Sequence, residues 1–322
     1  MFQFRPAIRE QIPLLIGLAG GTGAGKTFSA MRLARGMAGD RPFAVIDTEA
    51  GRALHYADKF KFDHGDLKPP FRPDTYTEAI MAADAAHYPV IIVDSMTHVW
   101  SGDGGVLDWQ EDELDRMAGD DWKKREAVKM AAWIKPKMGH KAMVAKLLQI
   151  RAHLILCFRA EEKIEMVRVD GKMQILPKLT RTGLDGWVPV CEKNLPFELT
   201  ASFLLTADAP GVPKPIKLEE QMRPFFPLDQ PITERAGEQL AAWAKGGTEL
   251  APVGAPEPPQ PGAPMWPAFW AKCSELGWNE AQVKQIADLP PDIFSTQSRG
   301  ELQALLTRIK AAPKPAEQGA LV

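Results

Sequence analysis

Residues 13–27 read Pro13-Leu-Leu-Ile-Gly-Leu-Ala-Gly20-Gly-Thr-Gly-Ala-Gly-Lys26-Thr27, and this stretch decides the fold class. Its first seven residues are a short apolar run that stops at glycine, the mark of a buried strand. The next eight, Gly20, Gly21, Thr22, Gly23, Ala24, Gly25, Lys26 and Thr27, fit the spacing G-x-x-x-x-G-K-[ST]. Glycines let main-chain N–H groups turn toward phosphate oxygens with no Cβ in the way. A helix expected over residues 27–38, with Met31, Ala34 and Met37 inward, adds the positive end of its dipole. In such a loop Lys26 neutralises charge on the β- and γ-phosphates and the Thr27 hydroxyl binds magnesium, with Phe28 next along the helix. ATP and Mg2+ are the ligands implied.

Outward from this loop, Phe43-Ala-Val-Ile46, Val90-Ile-Ile-Val93 and Leu154-Ile-Leu-Cys-Phe158 are further all-apolar runs. That is the composition of central parallel strands covered on both faces. Helices are expected between them, around 77–87 and 122–151, so the pattern predicts an α/β fold with a mostly parallel central sheet. Beyond Phe158 the spacing predicts a β-hairpin, 164–169 and 173–176 about Asp170-Gly171, then a strand within 197–205 and a core helix over 234–244. The core domain is read as residues 1–247. Recurrent prolines from Pro252 to Pro264 mark a linker over 248–264. Residues 265–311 read as a small module of three helices, with Asn279/Gln282 and Ser298/Glu301 as capping boxes, and 312–322 as a disordered tail.

The chain has 322 residues, 45% hydrophobic and 25% charged, with 39 basic and 41 acidic side chains for a net charge of −2. A basic signature over the whole chain is thus excluded, and any nucleic-acid surface must be local. Cys157, Cys191 and Cys273 are far apart and fit no metal or redox spacing, so reduced thiols are expected. The apolar run at 12–19 is too short to span a membrane and leads into glycines, not a cleavage site. The expected location is the cytoplasm.

The second half of a triphosphate site needs an acid at the end of another apolar strand, and Val90-Ile-Ile-Val-Asp94 supplies it, as a holder of magnesium through its water shell. Hydrolysis also needs a carboxylate to orient or deprotonate water. The position after Asp94 is Ser95, so the base must come from elsewhere. Val45-Ile-Asp47-Thr-Glu49 carries two acids into the same rim, and Glu49 is the candidate base, the other reading being a solvated loop acid or the cap of a following helix.

With these three features in order, the chain resembles the RecA-like recombinases and ATPases, whose catalytic carboxylate follows the second strand. More closely it resembles short RecA-core ATPases of bacteriophages and prophages that accompany single-strand annealing and recombination genes. That resemblance is carried by Asp47-Thr-Glu-Ala-Gly-Arg52-Ala-Leu-His55-Tyr56, Phe62-Asp-His64, Asp94-Ser-Met-Thr-His98 and Cys191-Glu-Lys-Asn-Leu-Pro-Phe-Glu198, over about residues 10–247. It implies a RecA-like P-loop core, a place for Tyr56 near the adenine, and a polar γ-phosphate sensor after the fourth strand. Arg159 stands there, read either as that sensor or as a surface arginine. The first strand begins near Pro13, so the arm that links RecA protomers is not expected, and ring, dimer and DNA-nucleated assembly all stay open. Self-association of some kind is implied.

Between 122 and 151 lie Lys123, Lys124, Arg125, Lys129, Lys135, Lys137, Lys141, Lys146 and Arg151, opposed within the segment only by Glu126. Phosphate backbones are a natural partner for such a run, and Trp122 and Trp133 are candidate stacking faces. A solvated basic helix is the other reading. Lys135-Pro-Lys-Met-Gly139 is expected to break the helix and form an exposed loop. Lys163, Arg168, Lys172, Lys178 and Arg181 make the hairpin a second candidate. The resemblance places single-stranded DNA at loops after the third and fourth strands, so Lys123, Lys124, Lys135, Lys137, Lys141 and Lys172 are the DNA-contact candidates. The C-terminal module resembles small helical units of phage annealing proteins and suggests docking of annealing or replication proteins.

Three functions are open at this level. One is an ATPase acting on single-stranded DNA in phage-type recombination. Another is an ATP-driven switch that recruits proteins without touching DNA. The last is a small-molecule kinase, for which no arginine-rich lid is evident.

Overall fold

The computed structural model describes residues 12–169, 172–177, 186–246, 266–279, 282–283 and 299–312. Its elements fall into two compact units, Ala7–Glu249 and the C-terminal residues from Leu250.

The first unit is built on one sheet in the order β10-β9-β1-β5-β4-β2-β3, with β8 added to the end of β5. Its strands are β1 (Leu15–Gly20), β2 (Phe43–Asp47), β3 (Phe62–Asp66), β4 (Val90–Asp94), β5 (His153–Glu162), β8 (Trp187–Pro189), β9 (Ala201–Thr206) and β10 (Ala209–Lys217). From β9 to β3 every pairing is parallel; β10 on β9 and β8 on β5 are antiparallel. The mostly parallel α/β architecture expected from the apolar runs is the architecture observed. Successive side chains of a strand point to opposite faces, so Ile16 and Leu18 enter one core cluster while Leu15 and Ala19 enter the other.

The first cluster is covered by α1 (Lys26–Ala38) and α8 (Glu234–Lys245). These helices meet at glycines: a Cβ on Gly36 would lie 1.8 Å from the Glu234 carbonyl oxygen. On the other face lie α2 (Pro73–Ala85) and α6 (Ile134–Leu147), which bury Tyr76, Ile80, Met143 and Leu147. Between β4 and β5 the chain also forms α3 (His98–Ser101), α4 (Val106–Ala118) and α5 (Trp122–Ala132), and α7 (Leu195–Glu198) precedes β9.

Several expectations need correction. The helical stretch 122–151 is broken as expected, but at Trp133, and 135–139 is no loop: it lies inside the second helix. Pro136 sits in the first turn of α6, where its missing N–H has no intrahelical partner to lose. The fourth apolar run is the fifth strand, because β3, Phe-Asp-His-Gly-Asp, is too polar to read as a strand; it is an edge, half open to solvent. β10 carries Pro210, Pro213 and Pro215, which a strand tolerates only at an edge.

The expected hairpin forms from β6 (Ile164–Val169) and β7 (Lys172–Pro177) as a separate two-stranded sheet. All three cysteines are free thiols, two buried and Cys191 half-buried. No helix among the described residues is long and apolar enough to cross a membrane.

In the C-terminal unit, α9 (Trp266–Glu275) and α10 (Arg299–Ala311) enclose a small core of Phe269, Cys273, Trp278, Val283, Leu305 and Ile309. The Asn279/Gln282 capping box closes in both directions at 3.0 Å. The linker 248–264, the Ser298 half of the other box, residues 313–322, the Asp170-Gly171 turn, Lys178 and Arg181 lie outside the described residues.

Candidate active site

β1 ends in the middle of the sheet, and the chain turns through Gly20–Gly25 into α1. Gly25 has φ 80°, a conformation that glycine alone adopts without strain, and a Cβ there would press within 3.1 Å of the Gly211 nitrogen. The Gly211 N–H in turn donates to the Ala24 carbonyl at 3.0 Å, so β10 braces the loop from behind. The ends of β1, β2, β4 and β5 open onto a cavity of about 730 Å³. Gly20, Gly21, Thr22, Gly23, Ala24, Gly25, Lys26, Thr27 and Phe28 all line it, together with Glu49, Asp94 and Arg159.

Lys26 Nζ donates to the Gly21 carbonyl at 2.9 Å, holding the ammonium inside the loop. Thr27 Oγ1 donates to Asp94 Oδ2 at 2.6 Å, which joins the start of α1 to the end of β4. Burial pushes the Asp94 carboxyl above its ordinary range, while the Thr27 hydrogen bond and the charge of Lys26 pull it back. Thr27 and Asp94 are hard oxygen donors of the kind magnesium takes. Among the described residues no three His, Cys, Asp or Glu side chains cluster as a metal cage.

Glu49 leaves the end of β2 and is only 16% exposed along its side chain. Its Oε1 accepts from Arg159 Nη2 at 2.7 Å and from Nε at 3.2 Å, and its Oε2 accepts from Arg52 Nη1 at 2.9 Å. Burial alone would raise this carboxyl; the hydrogen bond and charge of Arg159, with Arg52 behind it, outweigh burial and hold it below its ordinary range.

The neighbouring acid, Asp47, does something else. Buried at 1%, it accepts the Glu49 N–H at 2.6 Å, the Ala53 N–H at 2.9 Å, and faces His64 Nε2 at 3.2 Å. It ties down the loop that carries Glu49 and Arg52. Thr48 Oγ1 lies 2.7 Å from His98 Nδ1 and accepts the Ser95 N–H at 2.9 Å, which locks β2 to β4 beside the site. Tyr56 lines the cavity, backed by Phe28, with ring centroids 5.7 Å apart. Trp187, which sequence reasoning did not single out, lies on β8 against Gly21 of the loop.

Residues 13–189, more than half of the chain, match the family model AAA_24, described as an AAA domain. The chain belongs to this AAA domain family. The match spans β1 to β8 and so contains the glycine loop, Glu49, Asp94 and Arg159, and it makes the first unit a P-loop ATPase domain. No relative among curated proteins matches. Among solved structures, a KaiC-like protein of the hyperthermophilic archaeon Pyrococcus horikoshii OT3 is similar at 16% identity, covering 63% of this chain and 81% of that one with a TM-score of 0.31.

The six DNA-contact candidates of this AAA domain protein stand outside the cavity lining. Lys123 and Lys124 occupy the first turn of α5, capped by Asp121, and are exposed, as are Lys137 and Lys141 on α6 and Lys172 on β7. Lys135 is exposed as well, but its Nζ lies 3.0 Å from Glu113 Oε1. Arg125 likewise pairs with Glu111 and Asp115. The reading that only Glu126 opposes the basic run therefore holds along the chain but not in space, since α4 lays three more acids against it. Trp133 stacks on Trp100 at 6.2 Å and is no open stacking face, whereas Trp122 is 68% exposed.

Proposed function

We propose that the chain is an ATP- and Mg2+-dependent ATPase of RecA-like design that acts on single-stranded DNA in phage-type recombination or annealing. One observation carries the reading: Glu49, at the end of β2, shares a cavity with Lys26, Thr27 and Asp94, while the position after Asp94 is Ser95. The reaction is phosphoryl transfer to water. Lys26 and the loop N–H groups hold the phosphate oxygens, and Thr27 and Asp94 hold the cation. Bound magnesium supplies charge neutralisation at the β- and γ-phosphates. Glu49 orients the attacking water and takes its proton. Tyr56 and Phe28 offer aromatic faces to the base.

The exposed Lys123, Lys124, Lys137, Lys141 and Lys172 support a phosphate-backbone partner. The resemblance at 47–56 and 94–100 supports the recombination setting, self-association and a cytoplasmic location. The test is hydrolysis by the full chain with and without single-stranded DNA at two salt concentrations: stimulation that fades with salt is expected, and indifference to DNA contradicts the reading.

A second reading, a protein-recruiting switch, draws on the hairpin, where Ile164, Met166, Met173 and Ile175 are all more than half exposed. An isolated hairpin is marginal in water, and such an apolar face suits a protein partner. Intact hydrolysis without DNA binding favours it.

A further inference from the structure

The geometry points to the outer face of α5 and α6 as a docking surface for an acidic amphipathic helix of a partner protein. This role holds for either reading of the ATPase, since no residue of the nucleotide cavity takes part in it.

Met130, Ile134 and Met138 follow one another at four-residue spacing and are 77%, 58% and 66% exposed. Trp133, at the joint of the two helices, keeps helical angles at φ −75° and ψ −17°, so the spacing carries across it. Side chains four apart stand in one row on a helix surface. Three large apolar side chains in one row, all open to water, mark an interaction site and not an ordinary solvated face. Methionine suits this place, because its flexible thioether adapts to the shape of a partner.

The rows on either side differ. One runs Lys129, Trp133, Lys137 and Lys141. Lys129 meets only the exposed Glu126, at 3.4 Å. Lys137 Nζ lies 5.3 Å from the Trp133 ring centroid, and neither Lys137 nor Lys141 has an acid partner among the described residues. The other row, Ala131, Lys135 and Gly139, turns to α4. There Lys135 meets Glu113 Oε1 at 3.0 Å, and a Cβ on Gly139 would lie 2.6 Å from the Trp109 ring. A partner therefore reaches the apolar row from the lysine side.

A row of side chains at four-residue spacing is the ridge that packs into the matching groove of another helix, crossing at about 50°. The occupant is accordingly a helix with an apolar row of its own and Asp or Glu beside it to meet Lys137 and Lys141. Single-stranded DNA accounts for the lysines but not for the apolar row, because the adjacent Trp133 ring is already stacked on Trp100 at 6.2 Å.

The test uses the full chain and a fluorescent peptide of about five helical turns, with Leu at every fourth position and Glu on the adjacent row. A scrambled peptide of the same composition and a labelled oligothymidylate are the comparisons, all read by anisotropy. The patterned peptide is expected to bind at micromolar concentration, and the scrambled one at least about tenfold more weakly. Ile134→Gln with Met138→Gln weakens the patterned peptide about tenfold and leaves oligothymidylate affinity and basal hydrolysis unchanged. Lys137→Gln with Lys141→Gln weakens the peptide and flattens its salt dependence. Circular dichroism of each variant shows that the helices are intact. Absence of peptide binding, equal binding of the scrambled peptide, or binding that the apolar pair does not affect overturns the proposal. Loss of oligothymidylate affinity in Ile134→Gln with Met138→Gln overturns it too, by giving the apolar row to the bases of DNA. Failure of the ATPase reading is separate: it shows in hydrolysis by the native chain with no peptide present.

Discussion

Arg159 Nη2 lies 2.7 Å from Glu49 Oε1, joining a residue of β5 to the loop after β2 across 110 positions of sequence. The pair stands on the open rim of the cavity formed with Lys26, Thr27 and Asp94. If Glu49 handles the attacking water, Glu49→Gln lowers the hydrolysis rate by about 10²- to 10⁴-fold. Nucleotide affinity does not fall with it. Rapid-quench hydrolysis beside equilibrium nucleotide binding measures the two separately, and a rate within a few-fold of native assigns the base elsewhere.

Thr27 Oγ1 is the donor to a carboxylate that is 7% exposed. Thr27→Ala leaves Asp94 without it, and a hydrogen bond to a charged group is worth about 1.5–3 kcal/mol. The expected result is a loss of stability of that order in urea unfolding. The Mg2+-dependent part of ATP affinity falls by at least about tenfold in the same variant. Stability loss with an unchanged magnesium dependence leaves Thr27 structural only.

The parts of this fold that were legible before the structure are those where burial is complete. Leu14–Ala19, Phe43–Ile46, Val90–Val93 and Leu154–Phe158 are covered on both faces, so their composition is almost uniformly apolar. β3 and β10 escaped because edge strands need no such uniformity: one is rich in Asp and Gly, the other in Pro. That Lys26, Thr27 and Asp94 would meet in one cavity was readable because a glycine loop leading into a helix and an acid at the end of an apolar strand are local patterns. The Glu49–Arg159 pair was not, since only the sheet order places β2, β4 and β5 side by side. Asp47 looked like a second rim acid. It instead turns inward to accept the Glu49 and Ala53 N–H groups, and the β2–β3 pairing, which sets Val45 opposite His64, brings His64 to its other side.

The basic run between α5 and α6 is divided by α4. Lys135, Lys137 and Lys141 are all exposed, and of the three Lys135 is the one paired with an acid, Glu113. If the exposed lysines contact single-stranded DNA, each of Lys137→Gln and Lys141→Gln reduces the slope of log affinity against log salt by about 0.7. Lys135→Gln leaves the slope at its native value. Fluorescence anisotropy of a labelled oligonucleotide across a salt series reads this, and three equal slopes contradict the assignment.

His153 Nδ1 accepts the Leu14 N–H at 3.1 Å, which requires an unprotonated nitrogen. Burial, with some help from the Lys245 charge, pulls its pKa down to about 4 from the ordinary 6.5. Between those values the unfolded chain binds a proton that the folded chain does not. Stability is therefore full above pH 6.5 and is lost as the pH falls toward 4, by up to about 3 kcal/mol. His153→Gln keeps an acceptor for Leu14 and removes the titration. Its urea midpoint is expected to fall less over that interval; an identical fall shows that other groups are responsible.

The central claim is that DNA-dependent ATP hydrolysis runs through Glu49, and single-turnover hydrolysis by the full chain and by Glu49→Gln, each with and without single-stranded DNA, tests it most directly. The account predicts a native rate that DNA raises and a Glu49→Gln rate that stays near zero in both conditions although ATP is bound. A native rate indifferent to DNA, or a Glu49→Gln chain that still responds to it, contradicts the account.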